Sequence, residues 1–208
     1  MEPYAIITPT RDRPKMLEFC KYQLSKFLIQ PEKHYIIDYA PKSHSVDISE
    51  RVKAGVELAK KDGIDLVFLI EDDDQYKPDY INRFGDLTGV DFAGVDNTIY
   101  YHIKNRTWGI FSHPYRASLF QTAFRVSAMS KFRWPEHTPF IDIEIWKHAR
   151  NFKTKFVSES GSIGIKGHDH GKSGGKGHAQ TFNKKDHDFS WLKSNVSEEA
   201  FKFYMSLI

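Results

Sequence analysis

Apolar positions along the first seventy residues alternate between strand-like runs and helical spacing. Tyr4-Ala5-Ile6-Ile7 is a continuous apolar run ending in Thr8-Pro9, which predicts a buried strand. Pro14 then opens a stretch in which Leu17, Cys20, Leu24 and Phe27 recur at helical spacing. Lys33 to Asp38 predicts a second strand. Ile48, Val52, Val56 and Ala59 mark one face of a second helix, started by a capping box of Asp47 and Glu50 and stopped at Gly63. Leu66 to Ile70, five apolar residues in a row, predicts a third strand buried on both faces. This β-α-β-α-β order predicts an α/β fold with a central, mostly parallel, doubly wound sheet, whose ligands sit at the carboxyl ends of the strands.

Beyond Tyr80-Ile81 the helical rhythm gives way to short β segments at Val90 to Val95, Ile99 to Ile103, Thr107 to Phe111 and Leu119 to Val126, with a tight turn at Lys104-Asn105. A helix marked by Ile145, Trp146, Ala149 and Phe152 follows. Val196, Ala200, Phe201, Tyr204 and Leu207 predict an amphipathic terminal helix that packs on the core or on a second copy in a homodimer. At 208 residues and 40% hydrophobic the chain supports one core, so one domain is expected. Within it, residues 1–89 form a nucleotide-binding half, 90–160 an acceptor-side half, and 161–208 a Gly/His/Lys loop with the terminal helix.

Four carboxylates, Glu71-Asp72-Asp73-Asp74, arrive where the third strand stops. Like charges this close repel, and burial would raise their pKa values unless a cation compensates, so either a divalent metal binds there or the run is a solvated strand cap. The total charge decides little: 30 Lys+Arg against 27 Asp+Glu gives +3, which does not announce a nucleic-acid binder. Its distribution says more, because Lys166, Lys172, Lys176, Lys184 and Lys185 lie in a stretch with almost no acid, opposite in sign to the acidic run. A single cysteine excludes an internal disulfide and fits a reducing compartment. With no apolar run long enough to span a bilayer and no signal peptide, a cytoplasmic protein is expected, in the host cytoplasm if it is viral.

An acidic residue, a spacer and an Asp after a buried strand, with Pro78 downstream, resembles the DxD region of GT-A glycosyltransferases of the family-2 type, including small phage and bacterial enzymes. The resemblance implies a GT-A fold with a β-rich acceptor-side insertion, Mn2+ or Mg2+ as cofactor, and a nucleotide-diphosphate sugar, uridine-linked first of all, as donor. It makes Asp73 the main metal ligand with Glu71 and Asp72 beside it, although the register could instead pair Asp72 with Asp74. The opening strand is similar to the family's Pro-Thr loop, so Thr8, Pro9, Thr10, Arg11 and Arg13 become nucleotide contacts, and Asp38 after the second strand a base or ribose contact. Asp142-Ile143-Glu144-Ile145-Trp146 resembles the segment carrying the catalytic base of inverting members. That assigns the base to Asp142, which alternatively only caps its helix.

Residues 161–178 hold seven glycines, three lysines and three histidines without P-loop or dinucleotide spacing. They resemble the family's donor-covering loop. His168 and His170 are then metal ligands, with His178 ranked after them, and Lys166 and Lys172 diphosphate contacts. A solvated linker is the alternative. The acceptor is either a hydroxymethylated base in DNA, read through Tyr100, Tyr101, His102, Trp108, Phe111, His113, Tyr115 and Arg116 of the insertion, or a surface glycan. A nucleotidyltransferase or sugar-nucleotide pyrophosphorylase, and a non-catalytic nucleic-acid-binding module, are the rival functions.

Overall fold

The computed structural model describes residues 2–39, 47–136, 138–159, 161–168 and 182–208. The chain begins with β1 (Tyr4–Pro9), α1 (Pro14–Leu24), β2 (Lys33–Ile37), α2 (Ile48–Lys61) and β3 (Leu66–Leu69). β1 pairs parallel with β2 on one side and β3 on the other, so all three strands end on the same edge. Side chains alternate between two cores. Ala5, Ile7, Val67 and Leu69 face α2, whereas Tyr4, Ile6, Phe68 and Ile70 face α1 through Cys20 and Leu24. Covering both faces explains why these strands read as unbroken apolar runs. α2 lies close to β1 because Gly55 lacks a side chain, and a Cβ there would come 2.4 Å from Ile7 Cγ2.

β4 (Gln75–Tyr76), β5 (Phe92–Val95), β6 (Asn97–His102), β7 (Thr107–Ser112) and β8 (Thr122–Arg125) follow. The β-rich stretch is divided between two sheets. β5 and β8 complete the central sheet together with β9 (Thr154–Val157), in the order β2-β1-β3-β8-β5-β9, with β8 alone reversed among these strands. β6 and β7 form a hairpin in a second sheet, ordered β11-β7-β6-β10-β4, which includes β10 (Ser162–Lys166) and β11 (Lys184–Lys185). α3 (Ile141–Ala149) packs on the first core, while α4 (Ser190–Asn195) and α5 (Glu198–Met205) cover the second sheet through Leu192, Ala200 and Tyr204. The mixed α/β sheet with flanking helices is the expected fold class.

Three local expectations are corrected. The capping box does not form, since the Asp47 carboxylate turns to Arg51 Nη2 at 2.9 Å and Arg11 Nη1 at 3.4 Å and gives α2 no side-chain cap. Leu119–Gln121 makes a 3-10 turn before β8 begins. Ser162–Lys166, expected as the start of a flexible loop, is a buried strand paired with β6 and β4. Among the described residues, no helix is long and apolar enough to cross a membrane.

Gly55→Ala gains helix propensity but forces a methyl into Ile7. The thermal midpoint is expected to fall by several degrees, for a net cost of about 1–3 kcal/mol, and an unchanged or higher midpoint would show that α2 does not lie this close. His34 Nε2 lies 2.9 Å from Thr8 Oγ1, and burial, with Lys21 adding, pulls its imidazole down to about 4. The unfolded ring titrates near 6.5, so between about pH 6.5 and 4 only the unfolded chain takes up the proton, and stability falls as pH drops through that window. Chemical denaturation at pH 7 and pH 4.5 is expected to show a smaller acid loss in His34→Gln than in the parent. The difference should be at most about 3 kcal/mol, and less for a ring that keeps some solvent.

Candidate active site

Glu71 to Asp74, with Ile70 before them, make up the link between β3 in one sheet and β4 in the other. A chain that crosses between two packed sheets has no surface to run along, so its side chains are buried. Asp72 and Asp74 are fully buried and Asp73 is 5% exposed. Glu71 is half-buried. The backbone of the link is pinned from both sides. Gln23, on the buried face of α1, donates from Nε2 to the Asp74 carbonyl at 3.0 Å and accepts the Tyr76 N–H at 2.8 Å. The Tyr76 hydroxyl accepts the Glu71 N–H at 3.0 Å.

Compensating cations come from two other elements. Arg13, between β1 and α1, contacts Asp72 Oδ1 with Nη2 at 2.5 Å and donates from Nη1 to Asp73 Oδ2 at 2.8 Å. Thr10 donates its hydroxyl to Asp72 Oδ2. At the end of β10 the Ile165 N–H reaches Asp74 Oδ1 at 2.8 Å, with Lys166 Nζ 3.6 Å from the same oxygen. His168 Nε2 stands 3.0 Å from Asp73 Oδ2. Its placement depends on Gly167, whose φ is +80° and where a Cβ would lie 2.2 Å from the His102 ring.

The four acids are thereby set apart. Burial raises Asp72 to about 6 despite Arg13, and raises Glu71 to about 7 against the pull of Lys166. Asp74 is raised by burial as well. Burial would lift Asp73 too, but Arg13, Lys166 and His168 outweigh it and hold that carboxyl well below its usual range. Asp73 is therefore the most readily ionised of the four, and its Oδ1, like Asp74 Oδ2, has no hydrogen-bond partner among the described residues. Nor has His168 Nδ1.

The other expected residues have varied surroundings. Thr8 and Pro9 are buried in β1, with the Thr8 hydroxyl spent on His34. Arg11 pairs with Asp47, and Asp38 is exposed after β2 on the same edge. Asp142, in the first turn of α3, accepts from Arg116 Nη1 at 2.9 Å. Burial raises its pKa in spite of Arg116, and Asp142 lies near enough to Glu71 to raise that residue in turn. His170 and Lys172, with Lys176 and His178, lie outside the described residues.

Sequence reasoning missed the scaffold of this edge. Arg51, 2% exposed, donates to the carbonyls of Thr10, Ile37 and Tyr39 and to Asp47, tying the ends of β1 and β2 together, and Tyr39 lies over its guanidinium at 4.3 Å. Its signal was the i,i+4 pair Asp47/Arg51. That of Gln23 was an amide on an otherwise apolar helical stripe.

No protein-family model matches the chain, and no curated protein matches it. Among solved structures it is similar to S. aureus TarS at 11% identity and a TM-score of 0.55, covering 79% of this chain and 37% of that one. It is similar in the same measure to TarS 1-349 in complex with UDP-GlcNAc, at 12% identity and a TM-score of 0.55, covering 79% and 59%. The A197 protein of STIV matches at 12% identity and a TM-score of 0.45, over 76% of this chain and 82% of that one. The chain thus spans less than two thirds of either TarS structure. What it shares with TarS is the fold, the GT-A-like arrangement of a mostly parallel sheet between helices.

Proposed function

We propose that this chain is a glycosyltransferase that moves a sugar from a nucleotide-diphosphate donor, uridine-linked first of all, to an acceptor hydroxyl, with inversion. The observation that carries the reading is Asp73, an ionised carboxylate with an oxygen left over, held where three parallel strands end. Ligands of open α/β sheets bind at that edge. A second support is the TarS fold, solved with UDP-GlcNAc.

The residues present fit a divalent cation. Mg2+ is commonly held by one or two carboxylates plus substrate phosphates rather than by an all-protein cage. Asp73 and the half-buried Glu71 would hold the ion, with His168 beside them, which favours the Glu71/Asp73 register over Asp72/Asp74. When bound, Mn2+ or Mg2+ supplies charge neutralisation at the departing diphosphate. Asp72 is held by Thr10 and Arg13, and Asp74 by the Ile165 N–H through Oδ1, so both serve to fix the loop.

Lys166 adds positive charge on the diphosphate side, and Arg51 keeps the β1 and β2 ends in place for the nucleoside. Asp142 takes the acceptor's proton. Arg116 fixes the orientation of its carboxylate, and burial makes it a better base than an exposed aspartate.

Asp73→Asn is expected to weaken Mn2+-dependent UDP binding by about 10- to 100-fold in calorimetry. Glu71→Gln, at the more exposed position, should weaken it less. Parent-like metal-dependent binding in both variants, with melting curves showing them folded, would remove the metal role. Asp142→Asn is expected to keep UDP affinity while slowing UDP release from UDP-GlcNAc by about 10²- to 10⁴-fold, with water as acceptor. An unchanged turnover would take Asp142 out of the base role.

A further inference from the structure

Beside Asp142 the surface opens into a cleft of about 220 Å3 between the segment after β7 and the outer face of α3, with Arg116, Lys147 and Arg150 on its walls. Its floor is rigid. Trp146 is 2% exposed, donates its indole N–H to Thr122 Oγ1 at 3.0 Å and stacks on Phe156. It can lie this deep because position 94 is glycine, where a Cβ would come 2.5 Å from the indole. Tyr115 stands on the rim with 76% of its surface bare. An aromatic ring left in water beside a preformed cleft suits the flat face of a sugar.

The charges on the walls are uneven. Arg116 is bound to Asp142, and Lys147 to Glu144 at 2.7 Å in an exposed pair worth little. Arg150, exposed at the end of α3, makes no ion pair among the described residues. It lies eight residues beyond Asp142, about 12 Å along the helix axis. A molecule whose hydroxyl meets Asp142 would therefore bring an anion to Arg150 if it carried one a short saccharide's length away.

We propose that this cleft is the acceptor subsite, and that the acceptor is a saccharide bearing a phosphate group, which Arg150 binds with Lys147 beside it while the sugar lies against Tyr115. The proposal rests on reading Asp142 as the base. The two acceptor classes left open by the sequence are separated by size and charge. A cleft this small is below the usual range for a drug-sized ligand and takes roughly one sugar with its phosphate. Duplex DNA is retained by some six to ten phosphate contacts, and these walls offer one basic group without an acidic partner among the described residues.

The full-length chain titrated with glucose 6-phosphate and with glucose, followed by NMR chemical shifts, separates the outcomes. The phosphorylated sugar is expected to bind about ten-fold more tightly, as one charge-assisted hydrogen bond implies. Arg150→Glu, its fold checked by melting, should abolish the difference, and Tyr115→Ala should weaken both sugars alike. Equal affinities in the parent, or a phosphate preference that survives Arg150→Glu, overturn the proposal. A short duplex that binds more tightly than glucose 6-phosphate, with steep salt dependence, also overturns it and assigns the cleft to DNA. UDP titrated into the parent in parallel reports on the donor edge. Absence of UDP binding would sink the donor reading alone, whereas loss of the phosphate preference with UDP binding intact sinks only this one.

Discussion

Everything at the functional edge depends on four carboxylates being forced through the gap between two sheets. Desolvating an ion pair costs more than the pair commonly returns, and well-packed apolar residues would fill such a gap at no loss of stability. Here the cost is met by Arg13 from the first βα loop and by Lys166 and His168 from the end of β10, two parts of the chain about 150 residues apart. The arrangement locks the second sheet onto the first, with Gln23 of α1 holding the backbone between them. What the charges add that apolar packing could not is an Asp73 carboxylate held well below its usual pKa range, with an oxygen that makes no hydrogen bond among the described residues.

The first half of the fold was legible because burial on both faces leaves a plain signature. Strands β1 and β3 are unbroken apolar runs, and α1 and α2 each show a stripe. The second half was not, because its glycines carry a different meaning. Gly164 and Gly167 lie in a stretch whose composition suggests flexibility, yet a Cβ at Gly164 would lie 2.3 Å from the Tyr100 ring and one at Gly167 2.2 Å from His102. Glycine there marks close packing of β10 on β6, and periodicity cannot separate the two uses. The split of the β segments between two sheets was equally hidden, since β5 and β6 are separated by one residue and differ only in their partners.

At the site, reasoning from charge located the cluster but supplied only half of its compensation. The same electrostatic demand that pointed to a metal is partly met by Arg13, which no spacing rule connects to Asp73 sixty residues away. What the sequence could not reveal is the division of labour among four adjacent acids. Thr10 and Arg13 occupy Asp72 and the Ile165 N–H takes one oxygen of Asp74, whereas Glu71 and Asp73 are the less completely buried of the four.

The position of Asp142 comes from packing rather than from its own contacts. α3 is set by the Trp146 ring, wedged above Gly94 and tethered to Thr122, so the first turn of the helix is held beside Arg116. Three effects compete at that carboxylate. The helix N-terminus and Arg116 both favour its charged form, while burial disfavours it. Burial wins, so the group holds its proton more tightly than a surface aspartate does. An arginine that outweighed burial would leave a weaker base in the same place, and a deeper site without the arginine would leave an acid. A part-buried carboxylate with one oriented cation lies between those limits, which is what the proposed role of Asp142 as a base requires.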